Sequence, residues 1–374
     1  MRYIIFFICV LPSLLMADIW NELHLGYSRP GHMDAVINSS DIGAFTSNPS
    51  LISTKSQGAL SLFHLSSSYQ GDVNTTQLSG LISGKWHKVG FGLGFSSPID
   101  KGTFFDSLET QSKNDAFASR QRLLSFLPAL SYTFQDFPLN IGLSFPVYFG
   151  TESRGDLNLN ASSSSRVQAS VKPKAFFKLG FSGDFFEKYS WAISYSSKKK
   201  VNNEFYFTSQ IPLGLGTQLV IVGSGVSNFF YDAEKIIAQL SARFHQNFQA
   251  GITIDYARWS QMPAPFMRIA FTTPSLPAQV YNVVGKDVFS AAIGVAWSIE
   301  RDLSMSAAYR FQPRFVESLA TQSFDSFDQH ILSLAIQYQW LEDLKSALSL
   351  RYQLSGEAKD YKHLFASLFL GFDF

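Results

Sequence analysis

The sequence predicts an all-β protein built as a transmembrane antiparallel β-barrel, on three observations. Residue polarity alternates with period two in segment after segment. The connections between those segments alternate short and long. The composition is aromatic and poorly charged, with 15% Phe, Trp and Tyr against 16% Asp, Glu, Lys and Arg, yet no segment beyond the start carries a long uninterrupted apolar run. A soluble surface wants more charge, and helices that cross a bilayer need roughly 20 consecutive apolar residues. In lipid every backbone N–H and C=O must be paired within the protein, and a closed sheet achieves this without an edge.

The chain opens with Arg2, an apolar run from Tyr3 to Met16 interrupted by Pro12, and Ala17. A basic start, a short apolar stretch and a small residue form a secretory signal over residues 1–17, with cleavage expected before Asp18. Leu15 is a less usual residue three positions before the following Asp18 than a small one. The single cysteine, Cys9, lies inside this segment. The exported chain would hold no disulfide and no cysteine ligand or nucleophile. The charge balance of 30 Lys and Arg against 29 Asp and Glu gives no reason to expect a nucleic-acid partner.

Residues 58–374 carry the alternation. Phe289, Ala291, Ile293, Val295 and Trp297 interleave with Ser290, Ala292, Gly294, Ala296 and Ser298. The pattern recurs from Leu303 to Phe311, with Arg310 on the polar side, and from Leu344 to Leu354, with Lys345 and Arg351 on it. Successive strand side chains point to opposite faces, which reads as a lipid face and a lumen face. A soluble sandwich gives the same alternation with its apolar face turned inward. Aromatics near strand ends (Trp191, Trp297, Tyr309, Trp340, Tyr352) and basic residues beside Gly and Ser favour the barrel.

About fourteen such segments are countable between Gly58 and Phe374. Tight connections such as Trp86-His87, Phe186-Glu187, His245-Gln246 and Glu342-Asp343 follow the even segments. Long ones run from Ile99 to Arg120, Glu152 to Lys172, Val201 to Ala233, Met262 to Lys286 and Gln312 to Phe327, and are expected to be loops. Short periplasmic turns and long extracellular loops mark a bacterial outer-membrane barrel, and an even count puts the C-terminus in the periplasm. The last segment, Lys362 to Phe374, closes on a Phe in register with the alternation, like the signal that barrel-assembly machinery reads.

Residues 18–57 lack sustained alternation and contain the turn Ser47-Asn48-Pro49-Ser50. By residues alone this segment is either a periplasmic tail or a plug. The third barrel segment holds Gly90, Gly92, Gly94 and Pro98, which either weaken ladder pairing at a bulge or make space for whatever fills the lumen. Its glycine spacing also mimics a phosphate loop, but no helix follows it. An apolar stretch, Ile211 to Val222, followed by Phe229, Phe230 and Tyr231, reads as a binding surface or as a loop folded inward. The Ser-rich run from Glu152 to Ser170 reads as solvated surface. Lys178, Arg243, Arg310, Lys345 and Arg351 are candidate lumen-facing cations for an acidic head group, with Asp34, Asp41 and Asp255 as competing partners.

The run LGYSRPGHMDAVINSSDIGAFTSNPSLIS resembles the N-terminal hatch of the FadL/TodX family of outer-membrane transporters for long-chain fatty acids and other hydrophobic compounds. Three further stretches are similar to that family in the same order: KLGFSGDFFEKYSWAISYSSKKKVNNEF, IDYARWSQM and GKDVFSAAIGVAWSIERDLSMSAAYRFQP. The resemblance implies a fourteen-stranded barrel plugged by a hatch (residues 18–57) with Asn48, Pro49 and Ser50 as its motif. It also implies capture of a hydrophobic small molecule by extracellular loops, with Phe229, Phe230 and Tyr231 as candidates there, binding in the lumen, with Arg243, Arg310 and Arg351 as candidates, and release through a gap at the third strand, Gly90 to Pro98. Two positions depart from the family pattern: Ser50 stands for alanine in the hatch motif, and Ser196 stands where an arginine is expected. No role is carried over for the latter.

The expected protein is a monomer of the bacterial outer membrane that meets lipid and the assembly machinery and uses no cofactor or metal. An enzyme would need a nucleophile with a positioned base. The seven histidines are scattered and none falls beside a Gly-x-Ser-x-Gly elbow. Two other readings stay open at this point, a secretion-associated shuttle barrel with a similar hatch and a general porin.

Overall fold

A computed structural model describes residues 37, 42–52, 56–67, 73–98, 117–119, 123–150, 153–160, 163–171, 173–186, 188–214, 217–262, 267–273, 276–281, 284–315, 328–355 and 362–373. The signal segment and most of residues 18–57 lie outside these, as do Asp34, Asp41 and Phe374. Among the described residues no helix is long and apolar enough to cross a membrane.

Strands β1 (Gln57–Ser67), β2 (Val73–Trp86) and β3 (Val89–Pro98) open the wall. After a short β4 (Phe117–Ser119) it continues with β5 (Leu123–Thr133). The next wall strand comes in two pieces, β6 (Asn140–Ser144) and β7 (Val147–Gly150). Beyond β8 (Ser153–Asn160) and β9 (Ser163–Val171), the following one does too, as β10 (Lys174–Ala175) and β11 (Lys178–Phe185). Then come β12 (Tyr189–Ser196), the long hairpin β13 (Lys199–Gly214) and β14 (Thr217–Asp232), β15 (Glu234–His245) and β16 (Phe248–Arg258). A second hairpin, β17 (Met267–Thr273) and β18 (Leu276–Tyr281), precedes β19 (Val288–Ser298), β20 (Leu303–Gln312), β21 (Gln329–Leu341), β22 (Leu344–Ser355) and β23 (Lys362–Asp373).

With β6/β7 and β10/β11 each counted as one interrupted strand, the wall is a closed antiparallel barrel of fourteen strands. Closure is made by β1 and β23, paired without interruption from Gln57↔Asp373 to Ser67↔His363. At that rim Gln57 Nε2 donates to Asp373 Oδ1 at 2.9 Å, with Lys345 Nζ 3.9 Å from the same oxygen. Gln57 is thus the first wall residue, not the last of the preceding segment.

The direction of the alternation decides between sandwich and barrel. In β19, Phe289, Ile293 and Trp297 are 67%, 57% and 53% exposed, while Ser290 and Ala292 are 3% and 6% exposed. A sandwich buries the apolar set; here it faces outward around the whole wall, with Leu334, Leu348 and Leu368 on neighbouring strands also exposed. Each such side chain left in water forgoes roughly 1.5–3 kcal/mol, so the outer face requires hydrocarbon. Aromatics crowd the short-turn end, where Trp86, Phe137, Phe186, Phe244 and Trp340 are all strongly exposed, the position of an interfacial girdle.

The short turns are as the alternation requires, with His87-Lys88 closing Trp86↔Val89 and Glu342-Asp343 closing Leu341↔Leu344. At the opposite end the long connections differ from expectation. Residues in four of the presumed loops pair into a second sheet, in the order β18-β17-β14-β13-β9-β8-β4. β13 and β14 alone pair from Lys199↔Asp232 to Gly214↔Thr217. The Ser-rich run likewise forms the β8–β9 hairpin. These segments lack the contrast between a lipid face and a lumen face, so their sequences show no clean period although they are extended.

A lumenal site around an inner segment

Residues 42–52 sit on the lumen side of the wall. They form one turn of helix, α1 (Ala44–Ser47), followed by a 3₁₀ turn over Pro49–Leu51. Asn48 joins the two. Its Oδ1 accepts from Ser50 N at 3.0 Å, capping the 3₁₀ turn as Asn does at a helix start. Its Nδ2 donates to the backbone oxygens of Phe181 in β11 and Ile193 in β12, each at 3.2 Å. One side chain therefore fixes the inner turn and docks it to two wall strands. Pro49 at the first position of the turn supplies a preset φ and needs no N–H partner.

The wall makes room for this turn with glycine. A Cβ on Gly142 (β6) would collide with the backbone of Pro49 and Ser50, and one on Gly180 (β11) with Asn48 Oδ1. On β3, Gly92 lies under the Phe45 ring and Gly90 under Ile52. Of the two readings left open for the β3 glycines, making space is what Gly90 and Gly92 visibly do. The ladders of β3 run without register shift, from Gln77↔Pro98 to Trp86↔Val89 on one side and from Val89↔Tyr132 to Ser96↔Ser125 on the other. The bulge contemplated there is not present.

Around these contacts Ile42, Phe45 and Ile52 build a core with wall residues Ala59, Leu81, Leu127, Ala129, Ala347 and Phe369. Lys178, nearly fully buried, donates from Nζ to Thr46 O at 2.8 Å. Ser50 Oγ lies 2.7 Å from Asn48 Oδ1 and 2.8 Å from Ser182 Oγ. An alanine at this position would fit the space but make neither contact, so the departure at Ser50 adds a polar tie to β11. Ser196 is buried opposite Lys178. The preceding Ile37 touches the wall through its N–H to Ser241 Oγ (2.7 Å) and its carbonyl from Gln249 Nε2 (3.1 Å).

The other candidate cations are spread along the remaining wall. Arg310 (β20) pairs with Asp255 (β16), a partner anticipated from sequence. Arg351 (β22) lies over the Phe365 ring, 5.7 Å from its centre. Arg243 is exposed at the short-turn end of β15, on the edge of a cavity of about 330 Å³ that Gln249, Ser306, Ala335 and Gln337 also line. No sequence signal marked this polar cavity, since its lining comes from five strands. Phe229, Phe230 and Tyr231 belong to strand β14 and not to a loop, and their side chains lie outside what is described.

At the other end, Trp259 stacks on Phe315 with ring centres 3.9 Å apart, both fully buried. Lys235 Nζ sits 5.8 Å from the Trp259 ring centre and 3.1 Å from Asp232, which also holds Lys199 at 2.9 Å. Burial raises the Asp232 carboxyl, but Lys199 and Lys235 outweigh it and hold it below the ordinary carboxylate range. The cluster was not legible in the sequence because Asp232 and Phe315 fall on presumed loops while Lys199, Lys235 and Trp259 stand near the ends of three different strands. Among the described residues no three His, Cys, Asp or Glu gather as a metal site.

A fourteen-stranded barrel with a short N-terminal turn seated on inward glycines defines the class of fold to which the chain is similar. No family model matches the sequence, and no curated protein sequence matches it. Solved structures do. The CymD monoaromatic hydrocarbon channel superposes with a TM-score of 0.67 at 13% identity, over 94% of this chain and 96% of that one. The Pseudomonas putida toluene transporter TodX gives 0.65 at 16%, over 92% and 98%. A Pseudomonas aeruginosa FadL homologue gives 0.67 at 13%, over 94% and 98%. The resemblance to the FadL/TodX family holds at the level of fold, across nearly the whole chain.

Proposed function

We propose that the chain is an outer-membrane channel for the passive uptake of hydrophobic compounds, with residues 18–56 as a hatch. The observation that carries this reading is the seating of residues 42–52 on lumenal glycines that leave the wall no room for side chains. A general porin has no use for such a seat, and a hydrophobic solute needs a path that is not an open water column. The similar fold of the CymD and TodX structures, described as a monoaromatic hydrocarbon channel and a toluene transporter, supports the substrate class. The second sheet would collect the ligand, the lumen would hold it, and the wall would release it sideways into the lipid. The protein would act as a monomer in contact with outer-membrane lipid, exported by its 1–17 signal and inserted by barrel-assembly machinery. Passage of this kind asks no catalytic group of the protein.

Deletion of residues 18–56, keeping Gln57 in the wall, tests the reading in planar bilayers and in cells. A hatch predicts conversion to a large steady pore, together with loss of selective toluene uptake. Unchanged conductance would sink the plug, and uptake by the intact protein no faster than by cells lacking it would sink the substrate class.

A further inference from the structure

The pairing of the wall is interrupted not at the glycines of β3 but one and two strands further on. Glycine keeps its N–H, and the ladders of β3 run without register shift up to Pro98 at its end. Proline removes a donor and is ordinarily confined to edge strands and bulges, and a closed barrel has no edge. Yet Pro128 and Pro146 both stand in the wall. Phe145 N donates to Pro128 O at 3.0 Å, and Phe176 N donates to Pro146 O at 2.9 Å. An antiparallel pair that is hydrogen-bonded normally exchanges two such bonds; each of these holds one, because the proline has nothing to return. The two deficits lie at adjacent rungs of adjacent strand junctions. Both wall strands are broken there, β6 from β7 at Phe145-Pro146 and β10 from β11 at Phe176-Phe177.

Side chains on the outer face of this seam are apolar, while Ser125, Ser144 and Lys178 stand among the inner ones. Phe126, Phe145, Phe149 and Phe177 are exposed on the outer face. Leu127 and Tyr148 are fully buried on the inner one, where the Tyr148 and Phe176 rings meet edge to face at 5.6 Å. The hatch turn docks just beside it, on Gly142 and Gly180. We infer that the sideways exit for a hydrophobic ligand is the Pro128–Pro146 seam between β5, β6/β7 and β10/β11, and not the strand from Gly90 to Pro98. A ligand leaving here crosses two rungs that each lack one backbone bond and reaches the lipid past an outer rim of phenylalanine rings. The inference rests on the lateral release proposed above.

Reversible staples test it. Phe145 and Phe177 stand one step beyond the Ser144↔Lys178 pair, so F145C/F177C places two thiols on the outer face of the seam. Ile82 and Leu93 are paired and exposed across β2 and β3, so I82C/L93C is the matched control at the glycine strand. Facing strand partners lie within disulfide reach, and the only native cysteine is Cys9. Uptake of toluene and of a pyrene-labelled fatty acid is followed in cells carrying each oxidised variant, then after reductant. The seam staple should slow uptake by about fivefold and reductant should restore it, as for a locked gate, while the control stays near the intact protein. Full uptake through the stapled seam, or equal loss with the control, overturns the placement. Failure of the channel reading itself would show earlier, as no uptake by the intact protein over cells lacking it. Pro146→Val gives a second handle without cysteines: by returning a donor to Phe176 O it should slow uptake and raise the heat resistance of the folded barrel in gels. Faster or unchanged uptake counts against the seam.

Discussion

The two halves of the lumen are lined on different principles. From β3 to β12 the wall presents glycine and serine, and the inner turn approaches the backbone itself through Asn48, Pro49 and Ser50. From β15 to β22 it presents Arg243, Gln249, Asp255 and Arg310, polar side chains that reach toward one another or toward the cavity, and Arg351, which lies over the Phe365 ring. The first half is shaped to be filled and the second to stay partly open. The inner turn is seated on the first half, while Ile37 before it ties to Ser241 and Gln249 of the second, beside the cavity that Gln249 and Arg243 line. Substitutions on the two sides should therefore fail in different ways.

The largest effect is expected at Gly142. Valine there puts carbon where the Pro49 backbone lies, and neither the wall nor a proline turn gives way easily. Overpacking of this kind costs about 1–3 kcal/mol, enough to unseat the turn while fourteen strands of ladder hold the barrel. G142V should give a folded, heat-modifiable barrel with open-pore conductance. A variant that conducts like the intact protein would mean that the seat does not hold the plug.

Asn48→Ala comes next. It removes the cap and both docking bonds, leaving Ser50 N and two wall carbonyls short of a partner. Loss of buried partners costs about 1–3 kcal/mol, and flickering openings in single-channel records are the expected signature. Asn48→Asp keeps the cap but turns the docking donor into an acceptor, so it should flicker as much as alanine. Restored quiet with aspartate would assign the effect to the cap alone.

On the open side, Arg310→Met should barely touch the plug. It leaves Asp255 charged without its guanidinium partner and should shift the small residual current toward cations. Its effect on uptake of a neutral hydrocarbon should be slight. A large pore from this variant would erase the distinction between the two halves.

How much of this was legible in the sequence follows the same division. The wall was readable because each strand separates lipid from lumen, so β19 and β23 alternate in polarity from end to end. The second sheet was not: β13 runs Asn203-Glu204-Phe205-Tyr206-Phe207-Thr208, polar and aromatic residues together, and only the pairing with β9 and β14 makes it a strand. The Asn48-Pro49 turn was visible as a turn, but its docking depends on Gly142, Gly180 and Ile193, far away in the chain. The Lys199–Asp232–Lys235 cluster is likewise a product of where a hairpin starts and ends.

That cluster gives a pH prediction that sets the second sheet against the wall. Asp232 is held below its ordinary range, so its tie to Lys199 and Lys235 is complete above the unfolded value of about 3.9 and is lost only as pH falls through the lower folded value. The root of the β13–β14 hairpin should therefore resist protease at pH 4 as well as it does at pH 7, a range in which an ordinary exposed carboxylate would already be half protonated. Asp232→Asn removes the charge at every pH and takes the shared carboxylate from buried Lys199 and half-buried Lys235. Cleavage within β13–β14 should rise at pH 7 while the barrel stays intact. If the asparagine variant is no more sensitive than the intact protein, the hairpin is held by its ladder with β9 and β17 alone, and the buried ion cluster contributes nothing to the position of the second sheet.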